Sequence, residues 1–342
     1  MEQSYFASAN GYSGFTSLFD EVFDSRKFEK VFILKGGPGT GKSTFMKKMC
    51  QEMIKINANI NRFLCSSDTN SLDGLIIELN NKKIAFIDGT SPHERDATFV
   101  GVIDELVNLG ESIDSNLLLS SREKIINVSK EKCRCYRAAY AHLMTAGECD
   151  KQIYRTMPKI DEKSALKYIS KFTTIQDSSW LDQSLKIFNS SFGKNGYKTI
   201  EMKIDDKANQ VNIGGDWRFA EMFLRYFDSQ TNQINKIVFL SPFDKNHIES
   251  IFINNYLFTI NNIDFDIDAS VFFDFPSTFK EETKTIKKVH NDMLLEAKKY
   301  FLMASELHFQ LEDIYQKCMN FDNNNIIFDK IYKKVLKVYD CC

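Results

Sequence analysis

The segment Gly36-Gly37-Pro38-Gly39-Thr40-Gly41-Lys42-Ser43-Thr44 fits the pattern G-x-x-x-x-G-K-[ST] in full. Each residue type in it has a chemical task. Glycines open backbone conformations closed to other residues and keep side chains out of the path of phosphate groups. The N–H groups then converge as an anion cradle at the positive end of a helix. Lys42 is placed to reach the β- and γ-phosphates of a nucleoside triphosphate, and the Ser43 hydroxyl to ligate Mg²⁺. Gly37 through Thr44 are therefore the expected nucleotide-binding residues. A second acid for the metal belongs at the end of a nearby buried strand. Ile84-Ala85-Phe86-Ile87-Asp88 supplies it, so Asp88 is expected to act with Lys42 in catalysis and with Ser43 at the metal. Asp-Gly is also a hairpin pair, but Thr90-Ser91-Pro92-His93 does not continue as an alternating strand. Gly89 occupies the position after Asp88 where many ATPases carry a water-activating glutamate. Asp68 and Asp73 are candidates to orient a water or a substrate, or are turn and cap residues. His93-Glu94-Arg95-Asp96 reads as a polar loop, either a lid or a solvated run. No [NT]-K-x-D element marks guanine selectivity, so ATP is expected by elimination.

These residues need elements to hold them. Val31–Lys35 is a short apolar strand that runs into the glycines, and Phe45, Met46, Met49, Met53 and Ile54 recur with helical spacing behind them. Phe63–Cys65 and Ile84–Ile87 are further buried strands. Helical periodicity returns from Arg122 to about Tyr154 and again from about Thr278 to Cys318. Strand and helix patterns alternate, which indicates an α/β fold: a P-loop NTPase-like parallel sheet flanked by helices.

The pattern also repeats. Phe6 to Phe15 matches Phe188 to Tyr197 at an offset of 182, Asp68 to Ile77 matches Asp244 to Ile253 at 176, and Ala138…Leu143-Met144 matches Ala297…Leu302-Met303 at 159. We expect an internal duplication, with residues 1–182 as the nucleotide-binding half and 183–342 as a degenerate half, the boundary falling within 175–190. Aligning Phe45-Met46-Lys47 with Phe223-Leu224-Arg225 puts Lys42 on Ala220, Gly41 on Phe219 and Ser43 on Glu221. The lysine charge is absent there and a carboxylate takes its neighbour's place, so one nucleotide site per chain is expected. Arg218 or Arg225 of the second half is a candidate to be presented to the triphosphate.

The sequences GGPGTGKSTFMKK, CSSDTNSLDGLII, IAFIDGTSPH and GVIDELVNLGESID resemble those of a family of bacterial ATP-binding proteins with two tandem P-loop halves. The resemblance covers residues 5–155 and continues more weakly through SFGKNG and SPFDKNHIESIFI. It implies ATP binding and ATPase activity, with Lys42, Ser43 and Asp88 on matching positions. The second half departs from the family, having Gly214–Glu221 where a second phosphate loop is usual.

Composition narrows the partners. Of 342 residues, 44 are basic and 46 acidic, so no bulk positive field favours nucleic acid or an anionic membrane. The start MEQSYFASANGYSG lacks the pattern of a secretion signal, and no apolar run reaches the ~20 residues of a membrane helix. A cytoplasmic protein with reduced cysteines is expected. Cys135, His142 and Cys149 recur every seven residues, but such neighbours are ~10 Å apart along a helix, too far for one metal site. Three functions stay open: an ATPase driving a conformational change, a kinase acting on a small molecule, and a non-catalytic module that responds to ATP.

Overall fold

The computed structural model describes residues 2–173, 184–201, 208–274 and 279–340. The 182/183 boundary, the expected helix start at Thr278 and the Cys341-Cys342 tail lie outside the described residues. In the first half, β1 (Glu2–Tyr5), β2 (Ser8–Gly11), β3 (Gly14–Ser17) and the short α1 (Phe19–Val22) precede β4 (Lys30–Lys35) and α2 (Lys42–Ile54). Then come β5 (Asn59–Leu64), β6 (Leu72–Leu79), β7 (Lys82–Asp88), β8 (Asp104–Asn108), α3 (Ser115–Leu119), α4 (Arg122–Thr156) and α5 (Glu162–Thr173). The second half contains β9 (Leu185–Ile187), β10 (Ser190–Gly193), β11 (Gly196–Thr199), β12 (Asn209–Gly214), α6 (Trp217–Gln230), β13 (Ile237–Leu240), β14 (Ile248–Ile253), β15 (Tyr256–Ile260) and β16 (Ile267–Asp268). It ends in α7 (Phe279–Gln316) and α8 (Phe321–Asp340).

The first sheet has the order β1-β5-β6-β7-β4-β8 and the second β9-β13-β14-β15-β12-β16. Read in these orders, both show the same succession of pairings: parallel, antiparallel, antiparallel, parallel, parallel. The sheets are therefore mixed, which corrects the all-parallel expectation. β6 and β7 are joined by Asn80-Asn81, both in the left-handed region that Asn tolerates. So tight a connection reverses the chain, whereas a parallel pairing needs a long crossover. β4 lies between β7 and β8, and Val31, Phe32, Ile33 and Leu34 are all fully buried. Coverage on both faces explains why this strand reads as a continuous apolar run.

The hairpin β2–β3 matches β10–β11 at the expected offset of 182, and β6 matches β14 at 176. In the long helices the buried Ala139, Leu143, Ala146 and Ile153 share the phase of Ala297, Phe301, Ala304 and Leu311. That offset is 158, one residue from the 159 read from the sequence.

The halves exchange parts reciprocally. Phe6 and Phe188 trade both backbone hydrogen bonds (2.9 and 3.3 Å), as equivalent residues do across an isologous contact. At the tip of β2–β3, the Tyr12 N–H donates to the carbonyl of Phe243; at the tip of β10–β11, Lys194 Nζ reaches Asp68 at 2.7 Å. α5 covers the second sheet, with Tyr168 against Phe223 and Phe272 and Phe172 against Phe258. α8 covers the first sheet, with Phe328 against Phe45 and the Tyr339 hydroxyl donating to the Ile77 carbonyl. No described helix is long and apolar enough to cross a membrane.

Candidate nucleotide site

The glycine-rich loop joins β4 to α2, and Gly41 is the N-cap of that helix. Gly39 and Gly41 have φ of +70° and +90°, which L side chains adopt only with strain. Lys42 Nζ donates to the carbonyls of Gly36 (2.8 Å) and Gly37 (2.9 Å), so the ammonium folds back into its own loop. It lies 3.8 Å from Asp88 Oδ2. The Thr40 hydroxyl ties the loop internally by donating to the Gly37 carbonyl. The Ser43 hydroxyl accepts from the backbone N–H of Leu72 at 2.9 Å, which brings the start of β6 to the front of α2.

Asp88 ends β7, parallel to β4 and opposite Leu34, so the strand-end reading holds and the hairpin reading does not. Its Oδ1 accepts from the Thr90 N–H and hydroxyl. Burial, with a smaller push from Asp73, holds its carboxyl above the usual carboxylate range; Lys42 and Thr90 pull the other way. The absence of a glutamate after Asp88 has a steric reason. A Cβ on Gly89 would sit 2.4 Å from Ile33 Cγ2.

Asp68 and Asp73 take different roles. Asp68 closes a turn by accepting from the Asn70 N–H and pairs with Lys194 of the other half. Asp73 is buried on β6, 2.9 Å from His93 Nε2. His93 thus anchors the loop after Asp88 instead of lying in solvent, its ring stacked on Phe19 at 4.3 Å. Asp96, by contrast, is exposed and meets Lys35 at 3.3 Å.

Sequence reading did not anticipate the neighbours that α7 and α8 bring. A Cβ on Gly39 would fall 2.7 Å from the Glu312 carbonyl, and one on Gly37 3.3 Å from the Tyr315 ring. Asn324 donates to the Thr40 carbonyl at 2.9 Å. More than 270 residues separate these partners from the loop, and their types carry no motif.

The second half corrects the alignment made from sequence. Buried residues 45, 46, 49, 50 and 53 of α2 share their phase with 219, 220, 223, 224 and 227 of α6, an offset of 174. This equates Gly41 with Gly215, whose φ of +94° matches it, and Lys42 with Asp216 instead of Ala220. β12 ends at Gly214, next to Gly215, so Gly36–Thr40 have no counterpart. Asp216 caps α6 and meets Lys287 at 2.5 Å and Arg218 at 3.4 Å. A cavity of about 290 Å³ opens here, lined by Gly215, Asp216, Trp217, Arg218, Lys287 and Asn291.

Arg218 is buried against Asp150, which also meets Tyr12 and His290. Arg225 pairs with Glu221 on its own helix. Among the described residues, no hydrogen bond or ion pair joins either arginine to Gly36–Thr44, so the structure does not support their presentation to the triphosphate. Cys135 and Cys149 are buried packing residues and His142 stacks on Tyr300. No group of three metal-ligating side chains occurs among the described residues.

Residues 15–167 match the model of the family nSTAND3, described as Novel STAND NTPase 3. This stretch is similar to an NTPase-type family. The match takes in the loop, α2, Asp88 and all of α4. No curated protein and no solved structure matches the chain.

Proposed function

We propose that the chain is a Mg²⁺-dependent ATPase with one nucleotide site, built on Gly37–Thr44 and Asp88. The observation that carries this reading is the convergence at one point of the loop, Lys42 and Asp88, with Lys42 and Asp88 3.8 Å apart. The ammonium now held by the Gly36 and Gly37 carbonyls is available to exchange those bonds for charge-assisted ones to phosphate oxygens. The oxygen donors suit a hard divalent cation: the Ser43 hydroxyl and the Asp88 carboxylate. Bound there, Mg²⁺ supplies neutralisation of the charge that develops on the phosphates. The protein's own part is positioning: the α2 N-terminus and loop amides hold the phosphates, and Lys42 faces them.

The two similar sheets support an internal duplication in which only the first copy keeps the loop. In the second copy the strand runs almost directly into the helix and Asp216, paired with Lys287, sits where Lys42 would be, so the amide cradle and its lysine have no counterpart. Similarity of residues 15–167 to an NTPase family agrees with nucleotide use and leaves the choice of base to experiment. Turnover with each of the four nucleoside triphosphates and Mg²⁺ tests the reading. ATP hydrolysis that disappears in Lys42→Ala is expected. Equal turnover in that variant, or γ-phosphate passing only to a metabolite, would refute it.

A further inference from the structure

Gly89 leaves the site without an acid where one is usual, and a side chain there would have to displace the fully buried Ile33. Another group must hold the attacking water if hydrolysis occurs. The fold offers one. β5 and β6 pair as Phe63–Gly74 and then Leu64–Leu72, so Asp73 is the extra residue of a β-bulge. Bulges re-aim a side chain and recur beside active sites. On its other side β6 pairs with β7 as far as Gly74 opposite Ile87, and Asp73, the next residue of β6, is close enough to Asp88, the next residue of β7, for its charge to push the Asp88 carboxyl up. Its neighbour Leu72 donates to Ser43 Oγ. The bulge therefore puts a buried carboxylate near Asp88 and one residue along the chain from the backbone group that meets Ser43.

The second half provides an internal comparison. β13 and β14 skip Glu249 in the same way, pairing Phe239–Ser250 and then Leu240–Ile248. There the acid is enclosed by hydroxyls of Ser190, Tyr197 and Ser241, with no phosphate loop in front of it. In the first half the acid is held by His93 and the Cys65 thiol. His93 is itself held by stacking on Phe19 and an edge contact with Phe15, and its Nδ1 is buried without a protein partner.

We propose that Asp73 is the water-orienting carboxylate of the nucleotide site and that His93 is the residue that positions it. This rests on the ATPase reading above. In the step, the water oxygen bonds to the γ-phosphorus while the bond from that phosphorus to the β,γ-bridging oxygen breaks. ADP leaves with the electron pair. One water proton stays on the phosphate product and the other passes to solvent. Asp73 aligns the water by accepting a hydrogen bond from it.

The test compares Asp73→Asn, His93→Ala, His93→Gln and Lys42→Ala in the full chain. Affinity for a non-hydrolysable ATP analogue with Mg²⁺, steady-state turnover and thermal midpoint are measured for each. Asp73→Asn should lower kcat by ~100-fold or more with analogue affinity within about threefold of wild type, a loss of positioning without loss of binding. His93→Ala should lose kcat in the same way, and His93→Gln, which keeps a donor towards Asp73, should recover part of it. Turnover by Asp73→Asn at the wild-type rate would overturn the proposal, as would a parallel fall in analogue affinity, which would make Asp73 a metal ligand or a structural residue. If Asp73→Asn does not fold, the His93 pair decides, and full turnover in His93→Ala overturns the proposal. Wild type that binds the analogue but hydrolyses nothing overturns it too. Analogue affinity retained in Lys42→Ala would instead overturn the site itself.

Discussion

At the residue scale, the site depends on side chains whose surroundings leave little choice. Gly39 combines φ of +70° with the Glu312 carbonyl 2.7 Å from where a Cβ would be. Gly39→Ala should therefore cost about 1–3 kcal/mol of stability, read as a lower denaturant midpoint; an unchanged midpoint would mean that α7 does not pack on the loop. Glu249 carries a different test. Burial raises its carboxyl to about 7, against hydroxyl hydrogen bonds that favour the charged form. A raised folded-state value means that the folded chain binds the proton more tightly. Its contribution is then fully present below the unfolded value near 4.5 and is lost as pH rises through about 7. Relative to Glu249→Gln, wild type should lose a few kcal/mol (on the order of 2–3) between pH 5 and pH 8. Parallel stability–pH curves for the two would contradict this. The loop and Asp88 were legible in the sequence because each is a local pattern set by strand, turn and helix. The pairing of Asp73 with His93 was not, since each was read singly: Asp73 as a water- or substrate-orienting acid or a turn and cap residue, His93 as part of a lid or a solvated run. Only the bulge and the folded loop bring them together.

At the element scale, the halves are joined by a buried polar knot. Tyr12 comes from the β2–β3 tip, Asp150 from α4, Arg218 from α6 and His290 from α7. Asp150 accepts from Arg218 Nε at 2.9 Å and from Tyr12, and lies 3.2 Å from His290 Nε2. The Arg218 and His290 contacts keep its carboxyl below the usual range despite burial. Removing it leaves the enclosed Arg218 guanidinium with Asp216 as its remaining acidic partner among the described residues, beside the Trp217 ring, so Asp150→Ala should destabilise the protein by about 3–5 kcal/mol. Chemical denaturation checks this; a loss below about 1 kcal/mol would mean the knot behaves like an exposed pair. Helix and strand positions were mostly readable from periodicity: α4 and α7 fall where apolar residues recur at helical spacing. Direction was not. β6 runs antiparallel because of a two-residue turn, and no hydrophobic pattern encodes which way a strand runs. Nor did periodicity show that α5 and α8 each cover the sheet of the other half, because an amphipathic helix does not name its partner.

At the scale of the whole molecule, two sheets of one order and polarity surround very different helix entrances. The first keeps six residues, Gly36 to Gly41, between strand and helix; the second has only Gly215 and Asp216. The degenerate loop was visible in the sequence, but its alignment was misplaced. A deletion inside a short loop leaves the flanking helix in phase at several offsets, and only burial and the φ of Gly215 select 174. This asymmetry underlies the proposal of one electropositive cradle per chain, centred on Lys42. Calorimetric titration of the full chain with a non-hydrolysable ATP analogue and Mg²⁺, for wild type and Lys42→Ala, checks both the count of sites and the part of Lys42. One analogue should bind per wild-type chain, with at least ~100-fold weaker binding in the variant, equivalent to about 2.7 kcal/mol. Two analogues per chain, or undiminished affinity in Lys42→Ala, would contradict it.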